Sequence, residues 1–321
     1  MIIITGAAGF IGSCLVRKFN NELKNDLVLV DDFARLEKQN NYSNKRYKLL
    51  VDRKDLFNWL KENKGEVSCV IHIGARTDTT EFNRAIFNEL NLNYTKELWL
   101  FCSENKIKFI YASSAATYGL GEQGYDDDEN KIELLKPLNP YGDSKNDFDK
   151  WALKQTIKPE HWYGLKFFNV YGPNEYHKGR MASVIFHGFN QAKNTGKIKL
   201  FKSHRKEFQD GEQLRDFVYV VDVIEVIWYL YGNSIASGIY NLGSGKARTF
   251  LDLATATLSA MGMPNHIEFI ETPLDIRDKY QYFTEANMNK LKQQGYTKPF
   301  TELEHGVEDY VKNYLLPNKY Y

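Results

Sequence analysis

The stretch NPYGDSKND, from Asn139 to Asp147, sets Tyr141 and Lys145 four residues apart. On a helix that is about one turn, so both side chains project from one face. A free phenol titrates near pH 10. An ammonium about 4 Å away, in an effective dielectric of about 20, favours the phenolate by roughly 4 kcal/mol, or about 3 pK units. A tyrosine tuned in this way can take the proton of an alcohol while hydride leaves the carbon. The hydride needs an acceptor, and the first residues of the chain offer a place for one. MIIITGAAGFIG puts Gly6, Gly9 and Gly12 directly after an apolar strand and at the opening of a helix. The first glycine permits a sharp turn, the second lets a pyrophosphate approach the backbone, and the third lets helix and strand pack closely. The free N–H groups and positive end of the helix then face the phosphates. Asp31 follows a second strand, where an acid meets a ribose 2′-hydroxyl. Arg35, Lys38 and Arg53 lie where cations can reach a 2′-phosphate instead, so NAD and NADP both stay open.

These groups require a particular scaffold. MIIITG, LVLVDD, SCVIHIGA, KFIYASS and WYGLKFFNVYG read as strands. Helices are expected from about Phe10 to Phe19, around Arg84 to Glu104, and from about Pro140 to Gln155. Alternation with short connections predicts an α/β fold, a doubly wound parallel sheet of Rossmann type with helices on both faces. After Gly172 the pattern loosens. SVIFHGFNQAKN and FLDLATATLSAMG read as helices, and LRDFVYVVDVIEVIWYLY as a strand and helix that rejoin the first lobe. The expected organisation is a dinucleotide-binding domain over residues 1–168, rejoined by about 216–240, and a smaller interleaved substrate domain over 169–321. Ligands in such sheets bind beyond the carboxyl ends of the strands. The acidic run YDDDEN, Tyr125 to Asn130, reads as a solvated loop.

Composition narrows the partners. The 321 residues carry 42 Lys+Arg against 41 Asp+Glu, a formal charge of +1, which gives no bulk case for nucleic acid or an anionic membrane. An anionic small substrate would need a local basic pocket. Cys14, Cys69 and Cys102 are widely spaced, with no CxxC pair, which argues against a disulfide framework or a zinc site and suits a reducing cytoplasm. No His, Cys and carboxylate cluster has metal-ligand spacing. The apolar opening lacks a basic n-region and glycines interrupt it, so it reads as a strand and turn rather than a signal peptide.

The glycine spacing, GxxGxxG, together with HIGARTDTT, NLNYTKEL, YASSAATYG, NPYGDSK and FFNVYGP, resembles the extended short-chain dehydrogenase/reductase superfamily, in its NAD-dependent epimerase/dehydratase branch. The resemblance implies a nicotinamide cofactor, NADP or NAD, tightly bound and one per subunit. Its groove would be lined by Gly6, Gly9, Phe10, Ile11 and Gly12, then by Asp31, Asp32, Lys38 and Arg53. Ile73, Gly74, Ala75, Arg76 and Thr77 would follow, with Asn91, Tyr141, Lys145, Val170 and Lys178. Lys145 would also bond the nicotinamide ribose, and Ser114 would hold the substrate hydroxyl, a duty Ser113 or Thr117 could share.

FNVYGPNEYHKGRMASVIFH, with LRDFVYV and KYQYFT, is similar to the ADP-heptose 6-epimerases of that family, which prepare heptose for lipopolysaccharide. Epimerising an unactivated alcohol requires hydride removal and its return to the opposite face. One fixed tyrosine serves one configuration, so a second proton carrier is called for, and the resemblance assigns it to Lys178. The residues alone also allow a loop cation or a phosphate ligand there, and His177 reads as structural or a substrate contact. The same resemblance lines the sugar-nucleotide site with Asn169, Arg180, His187, Phe201, Lys202, Ser203, His204, Arg215 and Tyr280. Arg180 and Arg215 are the candidates to meet the diphosphate. Arg180 stands where relatives carry a small residue, and FKSH departs from the usual loop. A homo-oligomer, in pentameric form, is also implied. The rival readings are another sugar-nucleotide epimerase or dehydratase, and a non-catalytic dinucleotide-binding regulator. Dehydratases place an Asp-Glu pair after the Ser/Thr, whereas AATYG follows Ser114, and a silent regulator would not need both Tyr141 and Lys145.

Overall fold

The computed structural model describes residues 1–277 and 280–321; Asp278 and Lys279, the latter opening the KYQYFT stretch, lie outside the described residues. Six strands of the first half form the bulk of the main sheet: β1 (Ile2–Thr5), β2 (Leu27–Asp31), β3 (Leu49–Asp52), β4 (Cys69–His72), β5 (Lys108–Ser114) and β6 (Trp162–Phe167). They run parallel in the order β3-β2-β1-β4-β5-β6, so the chain reverses direction across the sheet between β1 and β4. A crevice opens beyond the strand ends at that switch. β1, β2 and β4 are buried along their whole length, as continuous Ile/Val/Leu runs covered on both faces must be.

Helices cover the two faces. The Phe10–Asn21 helix packs beside the Val220–Gly232 helix, while Tyr94–Glu104 and Pro140–Lys154 pack together elsewhere on the sheet. Trp99 forms the centre of the latter layer, with ring centroids 5.0 Å from Trp162, 6.0 Å from Phe148 and 6.1 Å from Phe109. Edge-on aromatic pairs of this kind contribute about 0.5–1.5 kcal/mol each beyond the area they bury. The helical run expected around Arg84 to Glu104 is present but interrupted. Arg84–Phe87 and Tyr94–Glu104 are α-helical, and Asn88–Asn93 between them is a π turn. The wider turn aims Asn91 inward, where it accepts from Arg76 N at 2.8 Å and donates to Arg76 O and Ser144 Oγ at 3.0 Å each.

Two expectations require correction. The single strand expected over WYGLKFFNVYG is two strands in different sheets. β6 ends at Phe167, the chain crosses over at Phe168, and β7 (Asn169–Tyr171) pairs in a three-stranded sheet. Later strands show the same division. β8 (Ile198–Phe201) pairs with a strand near the end of the chain. β9 (Leu214–Tyr219) joins the three-stranded sheet, and the helix that follows returns to the main sheet with β10 (Gly238–Leu242), parallel to β6. β11 (Ala247–Thr249) completes the order β11-β9-β7, and β12 (Ile267–Ile270) is the partner of β8.

The acidic run is the second correction. β10 is an edge strand of the main sheet, and the outward N–H groups of an edge strand need acceptors. Asp127, which is buried, takes Asn241 N at 2.8 Å, and Glu129 takes Ile239 N at 2.8 Å. Lys290 then bonds Glu129 at 2.9 Å and Ile239 O at 2.8 Å. The carboxylates therefore act as a substitute neighbouring strand. Among the described residues no helix is long and apolar enough to cross a membrane.

Asp127→Ala leaves the Asn241 N–H without its acceptor and is expected to lower unfolding free energy by about 1–3 kcal/mol. Asp128→Ala, one residue on, removes only an exposed cap on Asn130 and should cost about 1 kcal/mol or less. Urea titrations of the two variants check the ordering.

Candidate active site

A cavity of about 480 Å³ lies at the switch point. Gly6, Gly9, Phe10, Ile11 and Gly12 form its floor, Asp31, Asp32, Lys38 and Arg53 one end, and Ile73, Gly74, Ala75, Arg76 and Thr77 a wall. Lys178 lines it as well, its Nζ 5.2 Å from the Phe10 ring centroid. The glycines are sterically required. Gly6 has φ +67°, and a Cβ there would stand 2.7 Å from Gly74; one on Gly12 would stand 2.1 Å from Gly6 O. No side chain caps the Phe10–Asn21 helix, so its first-turn N–H groups stay available to an anion. A glycine cradle under an uncapped helix start fits the pyrophosphate of a dinucleotide.

Asp31 is not a free acceptor for a ribose. Its Oδ2 takes Ala8 N at 3.0 Å and its Oδ1 takes Asp32 N and Lys38 Nζ, both at 2.8 Å. Arg53 stands 3.7 Å from Asp32, and Arg35 also lines this end. His177, between Lys38 and Lys178, is pushed down to about 4 by burial and by those cations. Asn91, Tyr141, Lys145 and Val170 do not line the cavity. Asn91 supports the wall from behind through Arg76, and Val170 lies half-buried on β7. Thr5, His72, Asp78, Tyr94 and Met181 line it without having been singled out from the sequence. His72 and Asp78 lie within HIGARTDTT on either side of Ile73 to Thr77, Tyr94 lies within NLNYTKEL and Met181 within HKGRMASV, so the quoted motifs contained them although no role was given to them.

Tyr141 and Lys145 lie on the Pro140–Lys154 helix. Asn139 caps it by accepting from Gly142 N at 2.9 Å, and Pro140 opens it. Gly142 allows the close approach that the site needs, since a Cβ there would stand 3.0 Å from Ala116 O, two residues beyond Ser114. Ser114, at the end of β5, is nearly buried and accepts from Ala116 N at 3.1 Å. Burial pushes the Tyr141 phenol above its usual value and hydrogen bonding with Ser114 pulls it back. On the same helix, Lys145 Nζ donates to Ala112 O at 2.7 Å. Burial lowers Lys145 to about 8, partly offset by Asp149 one turn further along the helix.

Below these residues lies a sealed polar network. Lys166 Nζ donates to Asp149 Oδ2 at 2.8 Å and to Thr117 Oγ1 at 2.7 Å. Ser113 Oγ and Tyr111 OH donate to the same carboxylate at 2.6 and 3.0 Å. Thr117 donates to Ser114 O at 2.8 Å. Ser113 and Thr117 are thus committed to the network, which leaves Ser114 as the hydroxyl at the surface of the site.

The second-lobe candidates form two groups. Phe201 packs edge-on to Tyr280 at 6.1 Å, and the Arg215 guanidinium lies 5.4 Å from the same ring. Arg215 donates to Gln281 O, and Gln281 donates to Gly119 O in the turn after Ser114, which connects this group to the end of β5. His204 bonds Tyr282 OH through N and Nδ1, both at 2.9 Å, and Ser203 N donates to Asp210 at 2.8 Å. Lys202 is drawn to Glu271 at 3.0 Å. Asn169 is exposed, two residues beyond Phe167, the β6 partner of Ser114. His187 approaches Arg180 O at 3.3 Å, and hydrogen bonds from Thr80 hold the Asp78 carboxyl low, with the charges of Arg76 and Arg180 adding to them. Among the described residues no His, Cys and carboxylate group could hold a metal.

Residues 2–243 match the model of the NAD dependent epimerase/dehydratase family. The chain is 52% identical to an ADP-L-glycero-D-manno-heptose-6-epimerase of Fusobacterium nucleatum, over 98% of each chain. It is 46% identical to one of Nitratidesulfovibrio vulgaris, again over 98% of each. Among solved structures, the ADP-L-glycero-D-manno-heptose-6-epimerase of Helicobacter pylori superposes with a TM-score of 0.80 at 28% identity, covering 97% of this chain and 95% of that one.

His72 at the cavity floor gives a pH test. Its ring is held neutral between Thr5 Oγ1 at 2.6 Å and Thr95 Oγ1 at 2.9 Å, and burial beside Lys145 lowers it to about 3. Between pH 6.5 and 3 the unfolded chain binds a proton that the folded chain does not, so this stability is present above 6.5 and is lost as pH falls. Wild type should lose about 2 kcal/mol more than His72→Asn between pH 7 and 5 in urea titrations.

Proposed function

The chain belongs to that epimerase/dehydratase family, and from this premise we propose that it interconverts ADP-D-glycero-D-manno-heptose and ADP-L-glycero-D-manno-heptose at C6, supplying heptose for lipopolysaccharide. The observation that carries the reading is the position of Lys178. A second amine, on a loop separate from the tyrosine helix, lines the dinucleotide groove with its Nζ 5.2 Å from the Phe10 ring centroid. Near-full-length identity to enzymes of that name supports the substrate.

Gly6, Gly9 and the first turn of the Phe10–Asn21 helix would hold the pyrophosphate, and Ile73 to Thr77 the adjoining face. When bound, the nicotinamide supplies the acceptor for the C6 hydride and gives that hydride back. Tyr141 takes the hydroxyl proton from one configuration of C6 and Lys178 serves the other, while Ser114 holds the reacting oxygen. C6 lies outside the sugar ring, so rotation about the adjoining C–C bond offers either face. Burial moves the Lys178 amine toward its neutral form, the form that accepts a proton. Residues 1–168 with 216–240 would hold the dinucleotide and 169–321 the sugar nucleotide. Arg215, Tyr280 and Phe201 are proposed against the nucleoside diphosphate, with Asn169, His187 and the Lys202–His204 loop beside the sugar. The family resemblance is the support for a pentameric homo-oligomer.

We read the cofactor as NADP, retained through the reaction. Lys38 neutralises the acid that would repel a 2′-phosphate, and Arg35 and Arg53 add two cations beside it. Lys38→Ala and Arg53→Ala should each weaken NADP binding about tenfold or more while changing NAD by threefold or less, measured by calorimetry. Equal losses for both dinucleotides would favour NAD.

Incubated with ADP-D-glycero-D-manno-heptose and no added cofactor, the purified protein should yield both C6 epimers, resolved by NMR, without net redox change. Lys178→Met should lower turnover in both directions by about 10²-fold or more. Normal turnover in that variant would remove the two-base account. Inertness toward this sugar, with turnover of a UDP-hexose, would replace the substrate.

A further inference from the structure

The loop that carries Lys178 is closed at its base by a carboxylate with no assigned role. Glu175 is fully buried. Its Oε2 accepts from Ser183 N at 2.6 Å and its Oε1 from Ser183 Oγ at 2.6 Å. Ser183 is itself the cap of the Val184–Thr195 helix, where its Oγ accepts from Phe186 N at 3.2 Å. One side chain therefore joins the two ends of a nine-residue loop, counted from Glu175 to Ser183, and anchors both to a helix start. Inside the loop, Lys178 N donates to Glu175 O at 2.9 Å and Ala182 N to Gly179 O at 3.1 Å. Gly179 reverses the chain between them with φ +53°. The arrangement presents the Lys178 amine toward Phe10.

We propose that Glu175 is a positioning residue for Lys178, closing the neck of its loop and fixing where the amine stands in the dinucleotide groove. The proposal rests on the reading of Lys178 as a proton carrier. Its physical basis is mutual. Burial drives both groups toward neutrality, and each holds the other's charged form in part. The other titratable groups facing Glu175 are Cys14, Tyr176 and Tyr310, and none of these brings a positive charge to it. Lys178 shares the cavity lining with His177 of the same loop, on which its charge acts, and with Asp78. Glu175 is the charged group that bears on Lys178 most directly. A carboxylate in this position sets both where the amine sits and how readily it holds its proton. A misplacement of about 1 Å at a reacting group can cost about 10²-fold in rate.

Glu175→Gln keeps the shape and removes the charge, while Ser183→Ala keeps the charge and removes one of the two bonds that close the neck. For Glu175→Gln holoenzyme, kcat on both C6 epimers should fall about tenfold or more with KM within about twofold. Competitive acetylation read by peptide mass spectrometry should show Lys178 labelled about threefold or more faster at pH 8, since loss of the carboxylate favours the free amine. Exposed lysines such as Lys24 should label as in wild type. Ser183→Ala should lower kcat severalfold and leave the pH dependence of Lys178 labelling unchanged. A purely structural role would lower the melting temperature without moving the labelling profile. Wild-type kcat and labelling in Glu175→Gln overturn the proposal; where that variant does not fold, wild-type kcat in Ser183→Ala overturns it. The labelling readout does not depend on catalysis. Full activity of Lys178→Met would remove the catalytic reading, whereas an unmoved labelling profile in Glu175→Gln would remove this one alone.

Discussion

The Lys166–Asp149 pair is the constraint on which the catalytic side of the molecule depends. Both residues are sealed from solvent, at 2% and 0% exposure. Desolvating two such charges costs several kcal/mol, and mutual attraction offsets it only when the remaining donors and acceptors are used. Here Tyr111 and Ser113 fill the carboxylate and Thr117 receives the ammonium. Removing either partner would leave the other uncompensated, at about 3–5 kcal/mol. The three elements that meet at the pair are β5, β6 and the Pro140–Lys154 helix. Ser114 ends the first of these, and Tyr141 and Lys145 lie about two turns and one turn before Asp149 on the last. The spacing between phenol and hydroxyl is thus set from beneath, by a contact that touches neither.

The support of Lys178 is built on another principle. Lys178 sits on a short loop, and the loop is held by a carboxylate rather than by a sheet. Burial acts on every ionisable group of the site in one sense. It raises the Tyr141 phenol, lowers Lys145 and Lys178, and holds His177 neutral. Only the two lysines are brought closer to physiological pH by this, where an amine exchanges its proton readily, whereas the phenol is moved away from it. Asp149 and Glu175 then work against burial at each amine, so carboxylates behind the site decide how far the shift proceeds.

Much of this was legible in the sequence, for reasons that differ between elements. The glycine turn, the strand runs and the Tyr141–Lys145 helix depend on local spacing, and local spacing is what a sequence displays. The motif residues from Gly6 to Gly12 and from Ile73 to Thr77 do line one cavity. Non-local partners were not legible. Nothing in KFIYASS or WYGLKFF announces that Ser113 and Lys166 lie opposite each other in register and share Asp149. The acidic run at Tyr125 to Asn130 looks solvated until β10 is seen to be an edge strand. Spacing displays the Coulomb attraction of Lys145 for a Tyr141 phenolate, but neither the burial that raises the phenol nor the Ala112 carbonyl that holds the ammonium.

A reaction that removes hydride from one face and returns it to the other asks two opposed things of a protein. The redox group must stay fixed, because the hydride has to return to the molecule it left. The sugar carbon must be free to present a second face. The fold separates these demands by element. Gly6 and Gly74 meet backbone to backbone between β1 and β4, two strands buried on both sides, where only a concerted opening of the sheet could shift them. The groups assigned to the sugar nucleotide come instead from strand ends and loops of the smaller sheets, tied by single hydrogen bonds and ring contacts such as Arg215 to Gln281 and Phe201 to Tyr280. Local opening costs least where few buried contacts oppose it. Freedom is therefore expected more on the side proposed for the sugar nucleotide than on the side proposed for the dinucleotide, where β1 and β4 are buried along their whole length.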